Sequence, residues 1–166
     1  TFDECFLRAS SENDSLIVIP EANRITGNIG IEYLIFKYRL NIYGEHFQKI
    51  EHNLLGQPGS SLSDIKNVFS HAQGLSQCSE FIKKNKLIEH IRADTAGSAE
   101  AISKNKIKSE AAIASSLSAK IYNLEILATK IENESGNATR FLIMGKEVKQ
   151  PNFGSKKYIT SFLFKL

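Results

Sequence analysis

The residues best suited to chemistry are three consecutive side chains, Thr139, Arg140 and Phe141, where a polar loop meets a short apolar strand. A hydroxyl, a cation and an aromatic ring are thereby fixed beside a rigid element, where binding and catalytic groups are often built. A Thr hydroxyl is a poor free acid, so its expected chemistry is a positioned hydrogen bond to developing negative charge. The alternative is a strand that begins with an exposed Thr and a core Phe.

The composition argues against several classes of function. The 166 residues are 42% hydrophobic and 23% charged, with a formal net charge of +3. This balance does not favour nucleic-acid binding, and the lysines in residues 83–86 and 104–106 are interpreted as solvated helix ends rather than a phosphate-binding patch. No apolar run approaches the roughly 18 residues of a membrane span. No signal peptide is visible, so we expect a cytoplasmic protein.

No metal or cofactor is predicted. The four His residues lack a convincing pattern of Cys or carboxylate partners, and no glycine-rich phosphate-binding motif is present. Cys5 and Cys78 lie far apart in the sequence, and we interpret them as two reduced, packed thiols rather than a disulfide.

Apolar periodicity predicts alternating strands and helices. The continuous apolar run at residues 16–19 is typical of a buried parallel strand, and Ile31, Leu34, Ile35 and Tyr38 share one helical face. The pattern predicts a helix over residues 73–89, an extended segment over 41–55, and strands at 65–69, 111–114, 125–128 and 140–144. This alternation predicts an α/β fold with a mostly parallel sheet.

Several separated segments resemble, in one order, those of the prephenate dehydratase family. Residues 68–78, VFSHAQGLSQC, resemble the family's strand-to-helix Ser-His-Pro-Gln motif, which continues to a Gln-Cys pair. Residues 94–100 resemble its Thr-Ala segment, which opens a helix carrying a Glu. The segments 111–114 and 121–128 and the Thr-Arg-Phe triplet complete the order. The resemblance extends from about residue 2 to residue 164.

The resemblance implies a two-lobed periplasmic-binding-protein-like (type II) fold with an interlobe cleft. Residues 1–40 and 140–150 would form a partial first lobe and residues 41–139 the second lobe. Residues 151–166 would be a linker and the first strand of an ACT regulatory domain. The family's opening segment has no counterpart here, so we expect an incomplete chain. The family is often oligomeric, and residues 16–19 would lack sheet partners, so we expect a homo-oligomer.

The resemblance also implies conversion of prephenate to phenylpyruvate in L-phenylalanine biosynthesis. A ring hydroxyl leaves as water and a ring carboxylate as carbon dioxide, without a metal or redox cofactor. Thr139 would donate a hydrogen bond to the departing hydroxyl. The implied substrate-binding residues are Asn23, Ser70, Gln77, Thr95, Glu100, Arg140 and Phe141.

Each binding candidate has a structural alternative. Arg140 would pair either with a substrate carboxylate or with an acidic side chain that braces the loop. Ser70 and Thr95 would bind a carboxylate or cap a helix. Phe141 would pack in the core, and without the resemblance Gln77 and Glu100 are ordinary helix residues.

One segment departs from the family. Its usual Pro-x-Glu-Asn-Ser reads Pro20 to Arg24 here, so Asn23 is kept while Ala22 and Arg24 replace the acidic residue and the Ser. Glu21 is adjacent but is expected to point elsewhere. Two other classes therefore remain open beside the enzyme: a non-catalytic small-molecule binding module and an inactive remnant on the same scaffold.

Overall fold

The computed structural model describes residues 1–12 and 14–148, which divide into two compact units. Unit 1 is Thr1–Lys49 together with residues 138–148, and unit 2 is Ile50–Asn137. The linker and first ACT strand predicted for residues 151–166 lie outside the described residues. None of the described helices has the length and apolar composition needed to cross a membrane.

Strands and helices both contribute to each unit, which confirms the mixed α/β class. In unit 1 the elements are α1 (Phe2–Ser11), β1 (Leu16–Asn23), β2 (Gly27–Asn28), α2 (Glu32–Tyr38), β3 (Asn41–Lys49) and β9 (Ala138–Gly145). In unit 2 they are β4 (Asn53–Gly56), a short 3-10 helix (Leu62–Asp64), β5 (Asn67–His71), α3 (Ala72–Gln77), α4 (Ser79–Lys84), β6 (Ile88–Arg92), α5 (Thr95–Asn105), β7 (Glu110–Ala114), α6 (Ser116–Tyr122) and β8 (Glu125–Ala128).

The sheet of unit 1 is antiparallel, so the predicted buried parallel strand at residues 16–19 is wrong. The strand order is β2–β1–β9–β3, and each pairing is antiparallel. Helices α1 and α2 pack on one face, where Ile17 and Ile19 join the core. Leu16 and Val18 alternate to the other face and are 53% and 58% exposed. A continuous apolar run therefore does not mean burial on both sides here.

The crossing between the units also differs from the predicted boundaries. Strand β3 pairs with β9 from Asn41 to Lys49, so these residues belong to unit 1 rather than to the second lobe. Thr139 belongs to unit 1 for the same reason, because it pairs with both β1 and β3. Residues 16–19 do have a sheet partner in β9, which corrects the expectation that they lack one.

Unit 2 contains a mixed sheet, which corrects the prediction of a mostly parallel one. The order is β6–β5–β7–β4–β8, with β5 parallel to β6 and β7, and β4 antiparallel to β7 and β8. Alternate residues enter two separate core clusters: Val68 and Leu54 on one face, Phe69 and Leu55 on the other. The central strands are thus buried on both faces, which explains their continuous apolar sequences.

The single helix predicted over residues 73–89 is two short helices and a strand. The helical pattern breaks at Cys78, between α3 and α4, where the backbone N–H of Asn133 donates to Gln77 O at 2.7 Å. The side chain of Asn133 then accepts from Glu80 N at 3.1 Å. A neighbouring loop thus satisfies the backbone groups at the break. Ile88 belongs to β6, not to the helix.

Two phenylalanines of α1 provide a matched test of the unit 1 core. Phe6 is fully buried among residues of β1, β9 and α2, whereas Phe2 is 40% exposed. We expect Phe6→Ala to lower the free energy of unfolding by about 3–5 kcal/mol through lost burial and a residual cavity. Phe2→Ala should cost about 1 kcal/mol or less. Guanidinium denaturation followed by circular dichroism measures both, and equal losses would contradict this packing.

Candidate functional site

A buried hydrogen bond joins the two candidates of unit 1, Asn23 and Thr139. The antiparallel register of β1 and β9 sets these residues directly opposite each other. Asn23 Nδ2 donates to Thr139 Oγ1 at 3.0 Å. The two residues are only 8% and 9% exposed. The sequence separates them by more than a hundred positions, yet the strand pairing brings their polar atoms into contact.

The amide of Asn23 is held in one orientation. Its Oδ1 accepts from the backbone N–H groups of Ile25 at 3.0 Å and Thr26 at 3.1 Å, and from Thr26 Oγ1 at 3.3 Å. Because the oxygen faces these donors, the NH₂ group must face Thr139. Thr139 Oγ1 therefore acts as an acceptor toward Asn23, and within unit 1 it donates to no described residue. The hydroxyl proton of Thr139 is therefore available to donate a hydrogen bond to a ligand.

Arg140 lies on the opposite side of the sheet from Thr139. Successive residues of a strand point to opposite faces, and Arg140 is bound to two carboxylates on its own face. Its Nε donates to Glu45 Oε2 at 2.7 Å and its Nη1 to Glu21 Oε2 at 3.3 Å. The structure therefore favours the bracing alternative for Arg140 over a contact with substrate.

Phe141 shares its sheet face with Thr139. The core cluster of unit 1 contains the next residue, Leu142, which is buried, whereas Phe141 is only partly buried and is not among the described residues of that cluster. Alternation along β9 explains the difference, because Leu142 faces the helices and Phe141 faces the other way. The aromatic ring predicted to pack in the core is therefore not there, and the neighbouring Leu142 packs in the core instead.

The segment that departs from the family forms a β-bulge. The register with β9 shifts by one residue between Pro20 and Ala22, so that Glu21 is the additional residue. Glu21 does point away from Thr139, since its carboxylate binds Arg140. Ala22 is partly buried and Arg24 is exposed, with its N–H bonded to Ala138 O at 2.9 Å.

In unit 2, Ser70 and Thr95 border the same glycine. A β-carbon at Gly74 would lie 2.9 Å from Ser70 Oγ, which would have to move, and 3.6 Å from Thr95 Cγ2, an ordinary van der Waals contact. Ser70 is fully buried and donates to Ile113 O at 2.8 Å. Neither hydroxyl residue caps its helix: His71 caps α3 and Asp94 caps α5.

Gln77 and Glu100 are held in different ways. Gln77, the last residue of α3, accepts hydrogen bonds on Oε1 from His52 Nε2 at 2.8 Å and Asn137 Nδ2 at 3.3 Å. Glu100 binds Lys104 one turn along α5 at 2.5 Å, and this hydrogen bond raises the pKa of Lys104. Glu100 lies about 140° around the helix from Thr95, given 100° per residue. The structure therefore does not bring these two candidates together.

Sequence reasoning missed the partners of Gln77. His52 and Asn137 are buried, at 7% and 1% exposure. The sequence shows His52 only as one of four His residues without a metal-ligand pattern, and it does not distinguish Asn137 from the polar loop before the triplet. The available signal was the polar His52 next to the buried strand β4, because a buried polar side chain requires a hydrogen-bond partner.

Neither cysteine forms a disulfide. Cys78 is buried in the core of unit 2, whereas Cys5 is exposed, so the prediction of two packed thiols is wrong for Cys5. Burial, together with the nearby carboxylate of Glu132, raises the pKa of Cys78 to about 12. The thiol therefore stays protonated and is not a nucleophile. Among residues 1–12 and 14–148, no group of three or more His, Cys, Asp or Glu side chains is arranged to hold a metal ion.

Comparisons with known proteins agree on one family. The family model described as prephenate dehydratase matches residues 1–149. Arogenate dehydratase 2 of Petunia hybrida is 39% identical over 150 residues, covering 90% of this chain and 38% of that protein. Prephenate dehydratase of Methanocaldococcus jannaschii is 36% identical over 157 residues, covering 93% of this chain and 56% of that protein.

A solved structure shows the same fold. The prephenate dehydratase of Staphylococcus aureus superposes with a TM-score of 0.77 at 28% identity, covering 90% of this chain and 55% of that one. This likeness confirms the two-lobed periplasmic-binding-protein-like α/β fold. The chain spans less than two thirds of each of these proteins.

The ion pairs of Arg140 provide a test of its bracing role. We expect Arg140→Gln to lower the free energy of unfolding by about 1–3 kcal/mol, because two part-buried carboxylates lose their shared cation. Adding Glu45→Gln to this variant should recover part of the loss. Arg8→Gln is the control, since Arg8 pairs with Glu12 on the exposed surface of α1 and should change stability by about 0.5 kcal/mol or less. Chemical denaturation measures all three, and an unchanged Arg140→Gln would rule out the brace.

Proposed function

Because the chain belongs to the prephenate dehydratase family, we propose that it catalyses the decarboxylating dehydration of prephenate to phenylpyruvate in L-phenylalanine biosynthesis. In this reaction the bond between the ring and its carboxylate breaks, and its electron pair enters the ring. The ring hydroxyl departs with the electron pair of its carbon–oxygen bond and takes up a proton from solvent to become water. The products are phenylpyruvate, carbon dioxide and water.

The observation that carries this proposal is the hydrogen bond between Asn23 and Thr139. The departing hydroxyl accumulates negative charge in the transition state, and a donor aimed at that charge lowers the barrier. Thr139 can supply such a donor because Asn23 already occupies an acceptor site on its oxygen. Both residues are buried, so water competes weakly for the hydroxyl proton. Thr139 is thus the proposed catalytic residue and Asn23 its positioning residue.

Arogenate is a second candidate substrate. The relative from Petunia hybrida is named an arogenate dehydratase and is 39% identical to this chain. Arogenate carries an amino group where prephenate carries a keto group, and both have the ring hydroxyl and ring carboxylate that leave. The product separates the two possibilities, because arogenate would yield L-phenylalanine and prephenate would yield phenylpyruvate.

The remaining sequence predictions complete the proposal. The substrate-binding candidates Ser70, Gln77, Thr95, Glu100 and Phe141 are retained, together with assembly into a homo-oligomer and a cytoplasmic location. A protein that binds prephenate without turnover would instead belong to the binding-module class, and one that does neither would be an inactive remnant.

Substitution of Thr139 tests the proposed chemistry. We expect Thr139→Ala to lower kcat by about 10²-fold or more with little change in KM, because the lost hydrogen bond forms mainly in the transition state. Thr139→Ser keeps the hydroxyl and should retain much of the activity. The exposed Thr129 supplies the control, Thr129→Ala, which should leave kcat unchanged. The assay is phenylpyruvate absorbance in alkali, and full turnover by Thr139→Ala would remove Thr139 from the mechanism.

Substitution of Asn23 tests the direction of the hydrogen bond. In Asn23→Asp, a carboxylate oxygen replaces the NH₂ group, so the Thr139 hydroxyl would donate to Asp and its proton would turn away from the leaving group. We expect kcat to fall by about 10²-fold, with no further loss when Thr139→Ala is added. Asn105→Asp, on the exposed end of α5, controls for the added charge. Additive losses in the double variant would show that the two residues act independently.

A further inference from the structure

The side-chain amide of Gln77 accepts two hydrogen bonds on one oxygen. His52 Nε2 lies 2.8 Å from Gln77 Oε1, and Asn137 Nδ2 donates to the same atom at 3.3 Å. Both neighbours are buried, whereas Gln77 is partly exposed at the end of α3. The oxygen therefore points into unit 2, and the NH₂ group points away from these two partners.

This orientation of the amide lets the Gln77 oxygen accept from both neighbours. Exchanging the oxygen and nitrogen of Gln77 would set its NH₂ group against the NH₂ group of Asn137, leaving donors facing each other. Because Gln77 Oε1 can only accept, His52 must carry a hydrogen on Nε2. No described residue of unit 2 accepts from Gln77 Nε2, so its two N–H groups stay directed outward.

Backbone hydrogen bonds hold the two donors in place. His52 N–H donates to Glu132 Oε2 at 3.0 Å, and His52 O accepts from Ile131 N at 3.0 Å. Asn137 O accepts from Ile50 N at 2.9 Å. His52 is thus fixed from both sides of its backbone, on the segment that leads into β4. Its imidazole has little freedom to follow Gln77 if that amide rotates.

We propose that His52 is a positioning residue that locks the Gln77 amide so that its NH₂ group faces the substrate and can donate an N–H to an anionic group there. The inference rests on the proposed function, because it names how that substrate is oriented. Asn137 supports the same orientation from the end of the adjoining loop. Loss of the His52 donor would free the terminal torsion of Gln77, whose two amide orientations are otherwise nearly equivalent.

Nitrogen-15 NMR of the His52 ring tests the geometry without any turnover. With labelled histidine, we expect a proton bonded to Nε2 of His52. We also expect the side-chain NH₂ resonances of Gln77 to shift when prephenate or arogenate is added. A neutral ring with its proton on Nδ1 would overturn the proposal, as would Gln77 resonances that do not respond to a substrate that binds. This experiment remains decisive if the protein proves to lack dehydratase activity.

Kinetics of His52 variants separate positioning from a purely structural role. In His52→Gln, the amide nitrogen occupies nearly the place of Nε2 and can still donate, whereas His52→Leu fills space without a donor. We expect His52→Leu to raise KM about 10-fold with kcat within about twofold, as for an interaction made equally in ground and transition states. His52→Gln should recover most of the affinity. His46→Leu, at an exposed histidine of β3, should behave as the unaltered protein.

A double-mutant cycle completes the test. If His52 acts through Gln77, then His52→Leu should raise KM by less than about twofold when Gln77→Met is already present. A full 10-fold effect in that background would show that His52 acts independently of Gln77, and failure of His52→Gln to recover affinity would show that the donor is irrelevant. If His52→Leu does not fold, His52→Gln and the ring NMR still decide the question.

Discussion

The hydrogen bond from Asn23 to Thr139 depends on most of unit 1. It requires that β1 and β9 pair antiparallel in one register, because a slip of one residue would turn the two side chains to opposite faces. That register is in turn set by the apolar residues Ile19 and Leu142, which must face the helices. The polar contact is therefore positioned by the burial of the core on the other side of the same strands.

Unit 2 also contains a side-chain amide whose orientation is set by hydrogen bonds to its oxygen. In both units an amide oxygen is fully engaged by donors of its own unit, and the amide nitrogen is thereby oriented. In unit 1 that nitrogen orients the hydroxyl of Thr139, and in unit 2 the nitrogen of Gln77 itself faces outward. An amide offers two nearly equivalent orientations, so the surrounding donors decide which function it has. The donors to the Gln77 oxygen, His52 and Asn137, are buried, as is Asn23 itself, so a reversed amide would leave buried donors unpaired.

The sequence predicted whether a segment is a helix or a strand better than it predicted which faces are buried and which distant residues pack there. Residues 111–114 and 125–128 are strands as predicted, because local propensity and apolar pattern agree there. The prediction for residues 16–19 is wrong because an apolar pattern alone does not say whether both faces of a strand are covered. The break at Cys78 depends on Asn133, which is distant in sequence. In the site, a family motif indicated Thr139 and Asn23, but the partners of Arg140 and Gln77 follow only from strand register and loop placement.

The β-bulge at Glu21 determines which residue meets Thr139. Before the bulge, Pro20 pairs with Phe141; if that register continued, Ala22 would lie opposite Thr139, and Asn23 would face Ala138. The additional residue shifts the pairing by one, so that the amide of Asn23 reaches the hydroxyl and Glu21 is released to bind Arg140. Pro20 suits this place because it has no N–H to contribute to a ladder, and Glu21 O accepts from Ile29 N. The additional residue Glu21 thus brings the retained Asn23 into contact with Thr139. It also sets Ala22, which stands where the family has an acidic residue, opposite Arg140.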